Sequence, residues 1–344
     1  MKKYNVGILG ATGAVGMEML NVLGERHFPI NELKLFASAK SIGKEIIFNN
    51  KKYYVEEANE NSFKGLDLVL GATSNELAKK YAPYIVSAGA VFIDNSSAFR
   101  MNDDVPLVVP QINPEDIFKH KGIIANPNCS TIIALMGLYS LNKMSKIKYI
   151  YATTFQATSG AGANGPIELM EENILLDDLY KKGEMPINIS YDNKVFPYQI
   201  ASNVIPQIGS NTANLYTTEE MKMQNEGRKI MHLPNLLVNC TCVRVPVIRS
   251  HSISLTAVCE DNVSIELLRN KINCASGVKL CDDLDNKEYP MPILTSNQDI
   301  VYVGRIRKDL INEKGISMFV CGDQVRKGAA TNAIEIALKL FNIR

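Results

Sequence analysis

The chain begins with an apolar run that leads into a glycine-rich turn and then into a helical pattern. Tyr4–Leu9 is typical of a first strand, and Gly10-Ala11-Thr12-Gly13-Ala14-Val15-Gly16 follows it directly. Glycines allow the backbone to turn tightly and to approach a pyrophosphate, while the next helix offers unpaired N–H groups and the positive end of its dipole. A purely structural turn would show the same glycines, but their place after a first strand predicts a dinucleotide site.

Short β-rich runs alternate with helical stretches over residues 1–128. This alternation predicts a parallel, doubly wound α/β sheet of the Rossmann type. The predicted strands are Tyr4–Leu9, Leu33–Ala37, Leu66–Gly71, Val91–Asp94, Leu107–Val109 and Ile123–Ala125, and the predicted helices include Val15–Glu25 and Asn75–Ser87.

From about Tyr149 the pattern changes to longer strand-like runs, which predicts a second, α+β domain with a mixed sheet. The tail Ala329–Phe341 carries apolar residues on one helical face, and such a helix needs a surface to pack against. We expect it to return to the first domain, which then comprises 1–128 and 325–344, with 129–324 as the second. The predicted elements of the second domain are strands Ile147–Phe155, Leu236–Val247 and Ser252–Glu260 and helices Ile167–Lys181 and Thr218–Met231.

Bulk composition excludes several classes of protein. A chain of 344 residues usually needs more than one hydrophobic core, in line with two domains. The net charge of +1 gives no indication of binding to nucleic acid or to an anionic membrane, and no apolar run approaches the ~20 residues that cross a bilayer. The seven cysteines include no C-x-x-C pair, so neither a disulfide framework nor a zinc site is expected, and a reducing cytoplasm is the predicted location.

The segment after the second strand indicates which dinucleotide the first domain binds. An NAD-preferring site usually carries an Asp or Glu there, which holds the ribose 2′-hydroxyl. Here the strand ends in Phe36-Ala37-Ser38-Ala39-Lys40-Ser41, without a carboxylate. The hydroxyls of Ser38 and Ser41 and the cation of Lys40 suit a 2′-phosphate, which favours NADP. The alternative is that Lys40 is a solvated loop lysine.

One cysteine lies at the predicted start of a helix. Asn126-Pro127-Asn128 ends a strand, Cys129 follows, and Ile132–Leu138 is apolar on nearly every side, as in a buried helix. At a helix N-terminus the dipole and the free N–H groups favour a thiolate, and they can also hold an oxyanion formed by its attack on a carbonyl. From the residues alone, Cys129 fits a catalytic nucleophile and a capping-region cysteine without chemistry equally well.

The segment Asn126-Pro127-Asn128-Cys129-Ser130-Thr131 resembles the active-site segment of aspartate-semialdehyde dehydrogenases. Further segments resemble those of the same family in the same order, so that the similarity covers essentially the whole chain. Two small departures are Thr158, where an aliphatic residue is expected, and Gln324, where Asn is common. The further segments are Asp94-Asn95-Ser96-Ser97-Ala98-Phe99-Arg100, Gln156-Ala157-Thr158-Ser159-Gly160-Ala161-Gly162, Glu219 to Lys222, Arg244 to His251, and Gly322-Asp323-Gln324-Val325-Arg326-Lys327-Gly328-Ala329-Ala330.

The resemblance implies roles for four residues. Cys129 would be the nucleophile, His251 the general acid/base and Gln156 the amide that orients His251 and the reacting groups. His251 also lies on the alternating apolar face of its strand, which by itself more often means a core histidine. Arg244 would hold the substrate α-carboxylate through its planar fork. Without the resemblance, an internal Asp or Glu is an equally good partner for Arg244.

The resemblance also implicates Glu219, Lys222 and Arg100. Thr217 and Glu220 fit a capping box at the start of a helix, and Glu219 and Lys222 share a face of that helix. A solvated surface pair is the usual outcome of such a spacing. The resemblance implies instead that Glu219 binds the substrate ammonium and that Lys222 joins Arg100 at the phosphate.

The family's reaction is the NADPH-dependent reductive dephosphorylation of β-aspartyl phosphate to aspartate semialdehyde and phosphate, through a thioester on cysteine. It would feed the synthesis of lysine through diaminopimelate and of methionine, threonine and isoleucine, and would need no metal. A homo-oligomer, dimer or tetramer, formed through the second domain, is expected. The alternatives are an N-acetyl-γ-glutamyl-phosphate reductase, a glyceraldehyde-3-phosphate dehydrogenase and a nucleotide-sensing regulator without turnover. The predicted cofactor site comprises Gly10, Ala11, Thr12, Gly13, Ala14, Val15, Ser38, Lys40, Ser41, Thr73, Ser159, Gly160 and Gln324.

Overall fold

The computed structural model describes residues 2–185, 188–189 and 191–343; the first and last residues of the predicted first domain lie outside this range. The chain divides into two compact units. Unit 1 comprises Met1–Ile132, Asn225–Pro234 and Val325–Arg344, and unit 2 comprises Ile133–Gln224 and Asn235–Gln324. Residues 129–132 and 225–234, which the sequence placed in the second domain, therefore cluster with unit 1.

The helices and strands fall into two stretches of the chain. The first stretch contains β1 (Tyr4–Leu9), α1 (Ala14–Glu25), β2 (Ile30–Ala37), β3 (Glu45–Phe48), β4 (Lys51–Glu57), β5 (Leu68–Gly71), α2 (Asn75–Ser87), β6 (Val91–Asp94), β7 (Ile123–Ala125) and α3 (Cys129–Met144). The second contains β8 (Ile147–Gln156), α4 (Asn164–Lys181), α5 (Thr218–Ile230), β9 (Leu237–Arg244), β10 (His251–Cys259), α6 (Ile265–Asn273), β11 (Val278–Leu280), α7 (Pro292–Thr295), β12 (Val301–Lys308), β13 (Gly315–Gly322) and α8 (Thr331–Leu340).

Unit 1 is built on a sheet that, in the described residues, has seven strands in the order β3-β4-β2-β1-β5-β6-β7. The strands from β4 to β7 pair in parallel, and β3 joins β4 antiparallel. From β1 the chain proceeds to β2 on one side and later to β5 on the other. Ligands of open α/β sheets bind at such a switch point, outside the carboxyl ends of the strands. Because β1 ends directly before Gly10, the sheet confirms the predicted doubly wound class and places the glycine-rich turn at this point.

Two parts of this sheet differ from the prediction. The hairpin of β3 and β4 was missed, because its charged residues obscure the alternation of a strand. The predicted strand Leu107–Val109 is wrong, since only Leu107 forms an isolated bridge, to Ala125. Pro106 and Pro110 flank this segment, and proline has no N–H to continue a strand ladder.

The tail helix α8 packs on the core of unit 1, as its apolar face predicts. Ile334 and Ala337 are buried in one cluster with Ile8 of β1 and Met19 of α1. Burying a side chain of the size of Ile334 or Met19 stabilises the fold by about 1.5–3 kcal/mol. The helix begins later than predicted, because a π-helical turn, Arg326–Ala330, precedes it.

Unit 2 contains a mixed sheet, as predicted, with six strands in the part of the chain described here, in the order β11-β12-β13-β10-β8-β9. Strand β8 runs parallel to β9 and antiparallel to β10, which is also antiparallel to β13. The ends of β8, β9 and β13 and the start of β10 therefore meet at one end of the sheet. Gln156 lies opposite Arg244, and His251 lies opposite Gly322. The strand register thus brings three predicted site residues together.

Helix α3 is buried on nearly every side, as its sequence predicts. Ile132, Ile133, Leu135 and Leu138 have no exposed surface. Even so, neither α3 nor any other helix in the described part of the chain has the length and apolarity that a membrane crossing requires.

Candidate active site

Cys129 is the first residue of α3, as predicted. The side-chain oxygen of Asn128 accepts the N–H of Thr131 at 3.2 Å, and its carbonyl accepts the N–H of Ile132 at 2.9 Å. Asn128 is therefore the N-cap, and Cys129 occupies the first helical position with its thiol half-buried. At this position the positive end of the helix dipole favours an anion.

Arg100 is buried in unit 1 and makes several internal hydrogen bonds. Its Nε donates to the carbonyl of Asn126 at 2.9 Å and its Nη2 to the carbonyl of Asn95 at 2.7 Å. Its Nη1 lies 3.0 Å from Glu226 Oε1, and Glu226 Oε2 accepts the N–H of Asn128 at 2.7 Å. One carboxylate therefore joins the guanidinium to the segment that carries the cysteine.

Glu226 was missed by the sequence reasoning. It lies seven residues after Glu219, which is two turns of the same helix and hence the same helical face. That spacing is the signal that could have identified it.

His251 is fully buried in unit 2 and is neutral at pH 7. Its Nδ1 accepts the N–H of Ala157 at 3.0 Å, which places the ring proton on Nε2. Burial lowers the pKa of His251 to about 3; the charge of Arg244 acts in the same direction and that of Glu219 opposes it. In the resting protein His251 is therefore a hydrogen-bond donor through Nε2.

The low pKa of His251 predicts a loss of stability in acid. The unfolded chain takes up a proton on this histidine below its ordinary pKa of 6.5, whereas the folded protein does so only near pH 3. The contribution of His251 to the free energy of unfolding is therefore fully present above pH 6.5. It is lost as the pH falls toward 3, by about 1.4 kcal/mol per pH unit. Urea unfolding at pH 7, 6 and 5 should show a smaller decline for His251→Asn than for wild type.

The control for this measurement is His27→Asn, which replaces an exposed histidine of unit 1 at a left-handed position (φ 49°) that Asn tolerates. It should keep the wild-type pH dependence. Equal declines in wild type and His251→Asn would contradict the assignment of a neutral, buried His251.

Arg244 and His251 are joined through Ala157. The carbonyl of Ala157 accepts from Arg244 Nη1 at 2.5 Å, while its N–H donates to His251. The ring of Phe196 lies 5.7 Å from the guanidinium carbon. A Cβ on Gly160 would lie 2.9 Å from both Arg244 Nη1 and His251 Cε1, closer than real Cβ atoms approach other atoms. Glycine at 160 therefore allows the backbone to lie directly against both side chains.

Glu219 is buried and paired, which excludes the solvated surface pair considered above. Its Oε2 lies 2.8 Å from Lys222 Nζ, and its Oε1 accepts from Gln156 Nε2 at 3.3 Å. The predicted capping box is confirmed, since the N–H of Thr217 donates to Glu220 at 2.7 Å and the N–H of Glu220 donates to Thr217 Oγ1 at 3.3 Å. This box fixes the first turn of α5, where Glu219 lies.

The predicted cofactor residues of unit 1 surround the turn between β1 and α1. Gly10 has a φ of 91°, a left-handed conformation that side chains disfavour, and Gly13 is the exposed N-cap of α1. Thr12 Oγ1 lies 3.5 Å from Ser41 Oγ, so the segment after β2 lies beside the turn. Lys40, in a short 3₁₀ turn next to Ser41, is exposed.

Thr73 provides a test of whether this turn fits a ligand. Its Oγ1 is buried and, among the described residues, finds no hydrogen-bond partner. Buried hydroxyls almost always have a partner, and a missing one points to a group that binds there. Thr73 is adjacent to the turn, because a Cβ on Gly10 would lie 3.0 Å from its methyl carbon. The residues present therefore fit a phosphate-bearing nucleotide.

The predicted cofactor residues of unit 2 form a separate group. Gln324 Nε2 donates to Ser159 Oγ, which in turn donates to the carbonyl of Ile248 at 2.6 Å. The N–H of Ser250 donates to Gln324 Oε1 at 2.9 Å. Gln324 is fixed here because β13 ends two residues before it, at the end of the sheet that also holds His251.

One group of three possible metal-ligand residues occurs in the described part of unit 1: Glu115, Asp116 and His232. Asp116 Oδ1 lies 2.6 Å from Lys119 Nζ, and its Oδ2 lies 3.0 Å from His232 Nε2. Both oxygens of Asp116 therefore already have partners within the protein.

Two family models match the chain. Residues 5–120 match the semialdehyde dehydrogenase NAD binding domain, and residues 138–327 match the semialdehyde dehydrogenase dimerisation domain. The first match contains the glycine-rich turn, and the second contains Gln156, Glu219, Arg244 and His251.

Individual proteins match over almost the full length of the chain. Aspartate-semialdehyde dehydrogenase of Aquifex aeolicus is 48% identical over 97% of each chain, and that of Campylobacter jejuni is 46% identical over 100% of this chain and 99% of its own. Among solved structures, aspartate semialdehyde dehydrogenase II from Vibrio cholerae, complexed with ASA, is 40% identical with a TM-score of 0.93, over 100% of this chain and 99% of that one.

Proposed function

The chain belongs to the aspartate-semialdehyde dehydrogenase family, and we propose on this premise that it reduces β-aspartyl phosphate to aspartate semialdehyde and phosphate with NADPH. The observation that carries the proposal is the convergence of Gln156, Glu219, Arg244 and His251 in unit 2. A cation for a carboxylate, a carboxylate for an ammonium and a neutral imidazole are the groups that this substrate requires.

Cys129 is proposed as the nucleophile. Its thiolate attacks the acyl carbon, the bond from that carbon to the phosphate oxygen breaks, and phosphate leaves with the electron pair. The product of this step is a thioester on Cys129. A thiolate suits both halves of the reaction, because it attacks readily and later leaves readily. NADPH, when held at the glycine-rich turn, would supply the hydride that reduces the thioester carbon.

His251 is proposed to act on the oxygen of the tetrahedral adduct that follows. Its Nδ1 is occupied by the N–H of Ala157, so the proton on Nε2 is the one available to the substrate. This N–H donates a hydrogen bond that stabilises the negative oxygen, and the proton stays on Nε2 while the carbonyl of the aldehyde forms and the electron pair of the Cys129–carbon bond leaves with the sulfur. Gln156, fixed by Glu219, would orient the reacting groups.

The substrate is proposed to bind through both of its α-substituents. Arg244 would take the α-carboxylate in two parallel hydrogen bonds, and the Phe196 ring beside it restricts the orientation of the guanidinium. Glu219 would take the α-ammonium in place of, or beside, Lys222. Lys222 and Arg100 remain the predicted phosphate ligands.

A single assay separates this function from its nearest alternative. The protein is mixed with NADP, phosphate and either aspartate semialdehyde or N-acetylglutamate semialdehyde, and NADPH formation is followed. Aspartate semialdehyde should be the better substrate, because an N-acylated amine offers no ammonium to Glu219. Preference for the acetylated aldehyde would indicate an N-acetyl-γ-glutamyl-phosphate reductase, and no turnover of either would indicate a regulator.

Lys40→Ala should change the choice of cofactor. The ammonium lies on the exposed turn beside Ser41, where it can contact a ribose 2′-phosphate that NAD lacks. The KM for NADP should rise about tenfold, as for one charge-assisted contact, with little change for NAD. The control is Lys44→Ala, which removes an exposed lysine of the same loop and should change neither value. Equal losses for both cofactors would show that Lys40 does not contact the 2′-phosphate.

A homo-oligomer formed through unit 2 remains a prediction. It is supported by exposed side chains on the neighbouring strands β8 and β9, where Tyr149, Tyr151 and Leu237 are each about half exposed. Exposed aromatic and aliphatic side chains on neighbouring strands are typical of protein interfaces.

A further inference from the structure

Four charged residues lie on one face of α5. Glu219, Lys222, Glu226 and Lys229 are spaced by three, four and three residues, which places them on one side of the helix. Glu219 and Lys222 belong to unit 2 and form the pair described above. Glu226 and Lys229 belong to unit 1 and take no part in the proposed chemical steps.

Glu226 is almost completely buried, with 2% of its side chain exposed, and both of its oxygens are used. Oε1 lies 3.0 Å from Arg100 Nη1, and Oε2 accepts the N–H of Asn128 at 2.7 Å. A buried carboxylate is costly unless it is paired and hydrogen-bonded, and these two contacts meet that requirement. The carboxylate therefore fixes Arg100 relative to the N-cap residue directly before Cys129.

Lys229 fixes the other side of Arg100. Its ammonium donates to the carbonyl of Arg100 at 2.9 Å, to that of Asn102 at 2.6 Å and to that of Val105 at 2.8 Å. The loop after Arg100 is thus held by one side chain of α5, and the guanidinium of Arg100 by another.

We infer that Glu226 is a positioning residue for the proposed reaction. It holds Arg100 in a fixed position relative to the Asn128–Cys129 segment, and it lowers the affinity of Arg100 for phosphate. The inference rests on the proposed function, in which Arg100 binds the phosphate that enters or leaves. A guanidinium already paired with a carboxylate attracts a phosphate anion less strongly than an unpaired one, and the carboxylate also repels that anion. Phosphate is a substrate in one direction and a product in the other, so a site that binds it too tightly would slow turnover.

Glu226→Gln tests both parts of this inference. The amide has nearly the shape of the carboxylate but no charge, and its NH₂ group cannot accept a hydrogen bond from Arg100 or Asn128. In the assay with aspartate semialdehyde and NADP, kcat should fall on the order of tenfold, while the KM for phosphate should fall about three- to tenfold. If Glu226 had a purely structural role, the substitution would lower kcat through loss of order but would not lower the KM for phosphate through tighter binding.

Two further variants separate charge from packing. Glu226→Asp keeps the charge but shortens the side chain, so it should lower kcat and leave the KM for phosphate near wild type. Glu335→Gln breaks another buried ion pair of unit 1, 2.6 Å from the fully buried Lys327. It should lower the thermal stability and leave both kinetic constants unchanged.

A second readout does not depend on turnover. The protein is treated with iodoacetamide, and mass spectrometry of the Cys129 peptide measures the rate at which this thiol is alkylated. The measurement is repeated with inorganic phosphate to find the phosphate concentration that halves the alkylation rate. Glu226→Gln should be protected at a lower phosphate concentration than wild type. Unchanged protection together with an unchanged kcat, or the same changes in Glu335→Gln, would overturn the inference. An inactive wild type would refute only the proposed function, because the alkylation experiment would still give its result.

Discussion

Cys129→Ser is expected to fold, to bind NADP and to turn over aspartate semialdehyde at least on the order of a thousandfold more slowly than wild type. The serine hydroxyl has nearly the same size and position at the first residue of α3, so the helix cap by Asn128 should persist. An alcohol, however, is far less ionised than a thiol near neutral pH and is a weaker nucleophile. Initial rates of NADPH formation measure the loss, and circular dichroism and NADP titration verify the fold and the cofactor site.

The matched control is Cys274→Ser, which replaces the exposed thiol at the end of α6 and should keep wild-type activity. Mass spectrometry of wild type after mixing with acyl substrate should show the added mass on the Cys129 peptide. If Cys129→Ser retained a substantial fraction of the wild-type rate, the nucleophile would have to be another group.

Arg244→Lys is expected to lower kcat/KM for aspartate semialdehyde by about 10- to 100-fold, although the positive charge is kept. The guanidinium presents two parallel N–H groups to a carboxylate, and charge-assisted bonds of this kind contribute about 1.5–3 kcal/mol each. Lysine is a point charge without this fork, and it would also lose the approach of the guanidinium plane to Phe196. Arg269→Lys, at an ion pair with Asp282 elsewhere in unit 2, is the control and should keep wild-type kinetics.

Glu219→Gln completes this test of substrate recognition. It removes the proposed partner of the α-ammonium, so kcat/KM for aspartate semialdehyde should fall while NADP affinity stays the same. Unaltered kinetics with aspartate semialdehyde in either Arg244→Lys or Glu219→Gln would reject the corresponding assignment.

Several local elements of this chain could be predicted because their signals are short-range, although strands β11, β12 and β13 were not predicted. The glycine-rich turn, the capping box of Thr217 and Glu220 and the buried helix after Cys129 each follow from residues within a few positions of one another. The doubly wound class followed from the alternation of such elements. The hairpin of β3 and β4 gives a weak signal of this kind, and it was missed.

The meeting of Gln156, Arg244 and His251 could not be derived in this way. It depends on β8 running parallel to β9 and antiparallel to β10, and nothing in the three strand sequences determines their order in the sheet. The resemblance to a family supplied the roles, whereas the register supplies the reason that these residues share one end of the sheet. Ala157 and Phe196 were missed because one acts through its backbone and the other lies in a loop.

The spacing of charges along α5 has an evolutionary consequence. Each residue advances an α-helix by about 100°. Adding or deleting one residue between Lys222 and Glu226 would therefore rotate one pair of charges by more than a quarter turn relative to the other, and either Glu219 and Lys222 or Glu226 and Lys229 would leave their partners. Substitutions can accumulate on the opposite side of this helix, but the number of residues between the two charged pairs cannot change. Within descendants of this gene, alignment gaps should therefore be excluded from 219–229, while loops elsewhere tolerate them.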